Sequence, residues 1–308
     1  MTQANAPFRV IEQEGGLVAG PMRWPRNLLT DRKGSVYEDS TAQEMGLRGG
    51  TVGAPLHMEQ FPPLLTHLFG LDWWRRGNLS LYFRYATTDR EGVQCFAVAP
   101  QRDADGGVAR SEVWIDHEDG HRVADGTAAV GNPDTGSALR RRLDHIPKPI
   151  GLRILEHMHA GHEVTEIATR VDADLHHQRL EEIVEPLAAY ASDDEWGAPI
   201  LPPGLVFNSL LRASAKLLDP EREYGVGLFG AIELQFFDGP MFPEMDYITR
   251  CKVVAVSETP KTEYAWVEAV TSDPLTGNDV VGMLMMMRWL KAAHPLWAEL
   301  AENETRSD

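Results

Sequence analysis

Three ionisable side chains in the first sixty residues have the types and spacing that acid–base chemistry needs. Asp31 stands in a polar segment, and His57 and Glu59 stand two residues apart at the start of the apolar stretch LHMEQFPPLLTHLFG. A carboxylate near a helix N-terminus is favoured by the helix dipole, and burial raises its pKa toward neutrality. The pattern predicts that Glu59 or His57 exchanges protons with a substrate. The alternative is that both are ordinary residues of a helix boundary.

Two pairs of residues around this stretch are candidates for binding. Gly53 and Ala54 precede it, and small side chains there would let a carbonyl oxygen approach the backbone N–H groups of a helix start. Tight packing at the helix entry would explain the same residues. Arg75 and Arg76 follow two tryptophans after the stretch. Arginines can hold a coenzyme phosphate, and the alternative is a segment that caps the core.

The elements that would position these residues occur twice along the chain. Each apolar stretch is followed by a strand-like run and then by further runs of alternating, β-branched or aromatic residues, with turns at Gly120 and Gly277. Such runs around a short glycine turn predict a β-hairpin. Gly53-Ala-Pro-Leu recurs as Gly197-Ala-Pro-Ile, and each copy opens a predominantly apolar stretch. The sequence therefore predicts a duplicated unit.

A helix laid across an antiparallel sheet buries one face of each element, and open sheet edges invite pairing. Two such units are expected to merge their sheets. The predicted fold is α+β, a double hot-dog with domains at 1–150, including a linker, and 151–308. The linker near residues 131–165 is rich in turn formers and carries Arg140, Arg141 and Arg142. A solvated surface is the favoured interpretation of this triplet over a phosphate contact.

Composition excludes several classes of function. The chain has 308 residues and a formal net charge of −17, and so negative a surface disfavours nucleic acid. No apolar window is long enough to span a membrane. The two cysteines, Cys95 and Cys251, show no disulfide or metal spacing, which fits a reducing cytoplasm. His157, His159 and His162 suggest a metal cluster, but an exposed polar segment is the favoured interpretation, so neither a metal nor a cofactor is predicted.

The stretch from Thr30 to Gly50 resembles MaoC-like acyl-thioester hydratases and dehydratases. That family carries an aspartate, a histidine five positions later, an alanine and a glycine before its central helix. Asp31, Ala42 and Gly46 match this pattern, and Val36 stands where the family has its histidine. Residues 197–204 are similar to the family's approach to its second central helix, and the strand segments add a general likeness over most of the chain.

The resemblance implies hydration or dehydration of a 2-enoyl or 3-hydroxyacyl thioester of coenzyme A or a carrier protein. Asp31 would be the acid–base residue, helped by His57 or Glu59, with the carbonyl oxygen bound at the start of the central helix. Two alternatives stay open. Glu59 could activate water in a thioesterase of the same fold, or the protein could bind a lipid-like or aromatic ligand, or a catalytic partner, without turnover. The acyl group and the direction of reaction are open, and a homodimer is one candidate assembly.

Overall fold

The computed structural model describes residues 9–12 and 14–297; the outermost residues of the two predicted domains lie outside these ranges. Within the described residues, no helix has the length and apolar character needed to cross a bilayer. Cys95 and Cys251 are both buried and both free thiols.

The described residues form twelve strands. Runs of β-branched, aromatic and methionine residues favour extended backbone where they pack against a half-buried sheet face. The strands are β1 (Ile11–Glu12), β2 (Leu17–Ala19), β3 (Gly77–Phe83), β4 (Val93–Val98), β5 (Gln101–Arg102), β6 (Val108–His117), β7 (Arg122–Gly131), β8 (Glu163–Thr169), β9 (Gly227–Phe236), β10 (Tyr247–Glu258), β11 (Thr262–Ser272) and β12 (Asp279–Leu290).

All of these strands belong to one antiparallel sheet, in the order β1-β2-β4-β6-β7-β3-β9-β12-β11-β10-β8, with β5 beside β6. The order from β2 to β3 repeats in reverse from β9 to β8, as duplicated units related by a two-fold axis would give. The two halves join where β3 pairs with β9, from Asn78 opposite Gln235 to Tyr82 opposite Ala231. The merged sheet that the sequence predicted is therefore confirmed, as are the hairpins β6–β7 and β11–β12.

Seven helices complete the described fold, and the longest three pack against the sheet or line the cavity beside it. The helices are α1 (Asp39–Glu44), α2 (Ala54–Met58), α3 (Pro62–Phe69), α4 (Asp72–Arg76), α5 (Ala138–Leu143), α6 (Ala173–Glu182) and α7 (Pro203–Ser214). The main core contains apolar residues from α2, α3 and α7 together with one face of the sheet.

The first central helix is interrupted, which differs from the single long helix that the apolar stretch predicted. Pro62 and Pro63 begin α3. Because proline has no N–H, these residues cannot bond to the carbonyls of Met58 and Glu59 four positions earlier. The helix therefore stops at Met58 and restarts, with Glu59 at the C-terminal end of α2.

The second central helix does not begin at the repeated tetrapeptide. Gly197 has a φ of 75°, a left-handed conformation outside any helix, whereas Gly53 is the N-cap of α2 with a φ of −63°. Helix α7 begins at Pro203 instead, where proline suits the first turn because that N–H has no partner. The second copy of the tetrapeptide therefore lies in the segment that leads to the second helix.

The predicted linker also contains a folded element. Helix α5 packs against β3, β7 and β9 through Leu139, which is fully buried. Arg140 donates to Glu233 and Glu268 at 3.2 and 2.8 Å. The prediction of a solvated surface was therefore wrong for Arg140, because this side chain is paired with a buried carboxylate of the sheet.

Candidate functional site

A cavity of about 640 Å³ opens between the loop before α1, the start of α2, and helices α6 and α7. Its inner wall is apolar and buried, and it comes from the second half of the sheet and from the segments around α7. The wall residues include Met158, Leu217, Val267, Met285 and Trp289, each at most 5% exposed. A chamber of this size and character suits a hydrocarbon chain.

Several other lining residues carry long polar side chains. Arg32, Gln178 and Arg212 line the cavity and are exposed. Arg179 lines it too and is largely buried. Of the described residues that line the cavity, three are arginines, one is a carboxylate, Glu182, and none is a histidine. The outer part of the cavity is therefore cationic in a strongly acidic chain.

The start of α2 lies at the cavity wall, as the sequence suggested. Gly53, Pro55 and Leu56 line the cavity, whereas Ala54 belongs to the apolar core. Pro55 has no N–H, and the Leu56 N–H donates to the Gly53 carbonyl at 3.0 Å. Of the N–H groups in this turn, those of Gly53 and Ala54 therefore remain as candidates to bind a ligand.

In the loop before α1, Tyr37 lines the cavity and Asp31 does not. Asp31 is exposed and is not among the residues that line the cavity. Val36, at the position of the family's histidine, is buried, and Tyr37 beside it lines the cavity with its ring near Gly53. Burial raises the pKa of Tyr37, although Arg32 lowers it. Tyr37 therefore keeps its proton at neutral pH and can donate a hydrogen bond.

His57 is buried on another side of α2. Its Nε2 lies 2.9 Å from Thr87 Oγ1, and its Nδ1 lies 3.3 Å from Gln60 Nε2. Burial lowers the pKa of His57 to about 4, because the charged imidazolium loses its hydration. His57 is therefore a neutral, hydrogen-bonded histidine, and it is not among the residues that line the cavity.

Glu59 is fully buried between the two central helices. Its Oε1 accepts a hydrogen bond from Arg179 Nε at 3.0 Å, and its Oε2 is buried with no hydrogen-bond partner. Gly204 in the first turn of α7 leaves the necessary space, because a Cβ there would collide with this carboxylate. Burial raises the pKa of Glu59 to about 7, although Arg179 lowers it. Glu59 does not line the cavity itself.

The two arginines that the sequence suggested for phosphate binding, Arg75 and Arg76, do not line the cavity. Arg75 and Arg76 are exposed at the end of α4, where Arg75 bonds Asp72 and stacks over Trp196. Their neighbours Trp73 and Trp74 are buried in the core. This arrangement fits the alternative interpretation of the sequence, in which the segment caps the core.

Arg141 and Arg142 line an open groove of about 630 Å³ between α5 and strands β6 and β7. This groove lies on the face of the sheet that carries Trp114, opposite to the core residues Val113 and Ile115. His157, His159 and His162 do not form a metal site. No group of ligands that could hold a metal ion was found among the described residues.

The residues that the sequence reasoning missed are Arg32, Tyr37, Arg179, Glu182 and Arg212. They come from three separate segments, so their spacing carries no motif. The one local signal is the spacing of Arg179 and Glu182, which places the two on one face of a helix.

Comparison with solved structures identifies the fold. A protein assigned to the MaoC-domain dehydratases, from Chloroflexus aurantiacus, is 12% identical, with a TM-score of 0.63 over 94% of this chain and 99% of that one. A conserved Mycobacterium tuberculosis protein of unassigned function, essential for bacterial survival during infection and with a double hot-dog fold, is 12% identical, with a TM-score of 0.58 over 92% and 96%.

A further MaoC-like dehydratase is 10% identical, with a TM-score of 0.52 over 92% of this chain and 98% of that one. No protein-family model and no curated protein matches the sequence. At these identities the likeness concerns the fold. The chain has the double hot-dog fold of the MaoC-like dehydratase structures, as its sequence resemblance implied.

Proposed function

We propose that this protein binds an acyl thioester of coenzyme A or a carrier protein in the cavity between its two halves, and that it hydrates or dehydrates the acyl chain. The observation that carries the proposal is the division of the cavity into a buried apolar chamber and an outer part with two exposed arginines, Arg32 and Arg212. An acyl thioester has the matching division, with a hydrocarbon chain at one end and phosphates at the other.

The start of α2 lines the same cavity, and the thioester is assigned to this end of the helix. The N–H groups of Gly53 and Ala54 and the hydroxyl of Tyr37 are the donors available there to a carbonyl oxygen. Donors that meet developing negative charge on that oxygen favour proton loss or gain at the carbon beside it. This arrangement supports hydration chemistry at the 2,3 position.

Binding without turnover is a second candidate, and one observation favours it. Val36 occupies the position of the family's catalytic histidine, and no histidine is found among the described lining residues. The thioesterase alternative has less support. It needs Glu59 to meet water and substrate, whereas this carboxylate is fully buried and bonded to Arg179.

A panel of 2-enoyl-CoA esters of increasing chain length tests the proposal. A hydratase lowers the enoyl absorbance without releasing free thiol, a thioesterase releases thiol, and a binder raises only the melting temperature. If no ester gives turnover or a thermal shift, the thioester assignment is wrong. A dehydratase is revealed by running the same assay from the 3-hydroxyacyl ester.

Two arginine variants test where the coenzyme binds. Arg212→Ala removes an exposed cation from the cavity, so we expect the Kd of a CoA ester to rise about fivefold at low salt, as loss of one exposed ionic contact allows. Arg75→Ala is the matched control, because Arg75 is also exposed and does not line the cavity. If Arg75→Ala has the larger effect, the coenzyme binds at α4 instead.

A further inference from the structure

The proposed reaction needs a proton-transfer group on the cavity wall, and the described lining residues offer one carboxylate. Glu182 stands at the last position of α6, and its side chain is 25% exposed. Neither Asp31 nor Glu59 lines the cavity, and His57 faces Thr87 and Gln60. If water is added to a ligand in this cavity, Glu182 is therefore the acidic side chain placed to meet it.

Arg179 fixes the position of Glu182. Its Nη1 donates to Glu182 Oε2 at 3.2 Å, one turn along the same helix, and its Nε donates to Glu59 Oε1 at 3.0 Å. The planar guanidinium bonds both carboxylates through different nitrogens, which a lysine could not do with the same geometry. The three side chains form a hydrogen-bond network that extends from the buried interface of the central helices to the cavity wall.

Glu59, at the buried end of this hydrogen-bond network, is packed between the two central helices. Glu59 projects from the break after α2 into space that Gly204 of α7 leaves open. The charged and titratable groups that face Glu59 are Arg179 and Glu182 from α6 and Tyr190 from the segment before α7. Two carboxylates therefore share one guanidinium, and Glu59 Oε2 has no hydrogen-bond partner. When Glu59 is protonated and neutral, Glu182 is the one carboxylate of the pair that balances the positive charge of Arg179.

We propose that Glu182 is the catalytic acid–base residue of the cavity and that Arg179 and Glu59 are positioning residues that hold it. The proposal rests on the proposed function. In hydration, Glu182 takes one proton from water as the water oxygen bonds to C3 of the enoyl group. The electron pair of the C2–C3 double bond moves into the thioester enolate, and the Glu182 carboxyl group then protonates C2. The second hydrogen of the water stays on the new hydroxyl group, and dehydration is the reverse.

Glu182→Gln tests the assignment. We expect kcat to fall by at least about 100-fold, as loss of a general acid–base group gives. The thermal shift produced by a saturated acyl-CoA, which binds without reacting, should remain. Glu181→Gln is the matched control, since Glu181 is an exposed neighbour on α6, and it should keep the activity of the unmodified protein. Glu182→Asp should recover part of the lost activity.

The positioning roles have a separate readout. Arg179→Lys keeps the charge and loses the two-sided contact, so the pH profile of kcat should shift while the protein stays folded and binds the saturated ester. A purely structural Arg179 would change stability and leave the profile in place. The assignment of Glu182 is overturned if Glu182→Gln retains turnover within about threefold of the unmodified protein. It is also overturned if the unmodified protein binds esters without turning any over, and that outcome leaves the binding part of the proposed function standing.

Discussion

The two central helices contact each other in the main core, but they differ in continuity and in what they bury. Helix α7 runs unbroken from Pro203 to Ser214, and its buried polar side chains, Ser209 and Ser214, bond to backbone carbonyls of their own helix. The first helix breaks after Met58 and buries the ionisable residues His57 and Glu59 around the break.

This difference shows that the two copies share apolar packing but not electrostatics. Buried ionisable groups need partners from other segments, which Thr87 supplies to His57 and Arg179 supplies to Glu59. The free energy of unfolding should therefore depend on pH through the first helix and not through the second. The following substitutions test this contrast.

The largest expected effect is in the second helix. Leu210 is fully buried in α7, so Leu210→Ala should lower the free energy of unfolding by about 2–5 kcal/mol through lost contacts and the resulting cavity. The loss should be equal at pH 5 and pH 8, because no ionisable group changes. Denaturant unfolding at both pH values measures it, with Leu211→Ala, at a half-buried position, as the milder control. A loss that depends on pH would contradict the contrast.

The next effect is the pH dependence that Glu59 contributes. Because the pKa of Glu59 rises from 4.5 to about 7 on folding, the folded state holds this proton over a range where the unfolded chain has released it. Stability should therefore fall as pH rises from about 4.5 to about 7, by about 3 kcal/mol at 1.36 kcal/mol per pKa unit.

Glu59→Gln should remove this fall, seen as a smaller difference between the free energies of unfolding at pH 5 and pH 8. Other groups titrate in the same range, so the quantity to compare is the difference between variant and unmodified protein. Glu181→Gln, on the exposed face of α6, controls for a general change in charge. Equal pH slopes in Glu59→Gln and the unmodified protein would show that Glu59 is ionised throughout.

His57 should act in the opposite direction. Its pKa falls from 6.5 to about 4 on folding, so the unfolded chain takes up a proton that the folded protein excludes. Stability should be lost as pH falls below about 6.5, by about 2 kcal/mol at pH 5. His57→Asn should flatten this acid-side loss in urea unfolding between pH 5 and pH 7. A steeper loss in the variant would mean that His57 is charged in the folded state.

The fold was predictable from the sequence where the signals are local. The turns at Gly120 and Gly277 and the β-branched or aromatic runs beside them identify both hairpins. The repeat of an apolar helix followed by strands then predicted the double hot-dog architecture, and the resemblance around Asp31 agreed with it. The interruption of the first helix was also encoded locally, in Pro62 and Pro63, but the apolar character of the stretch outweighed it.

The candidate site was much less predictable, because tertiary packing decides which side of an element faces the cavity. Glu59 was singled out as a carboxyl group whose pKa burial would raise, yet its burial against Gly204 depends on a helix about 145 residues away in the chain. Arg32, Arg179 and Arg212 are ordinary surface arginines when read from sequence. They become a group only when the loop before α1 meets α6 and α7.

The pairing of β3 with β9 makes the two halves behave like a dimer whose subunits happen to share a chain. The connecting segment between α5 and β8 then acts as a tether that sets a high effective concentration of one half around the other. Ile150 in that segment is almost completely exposed. A chain cut there would therefore stay assembled through the continuous sheet, and the halves would separate only on dilution.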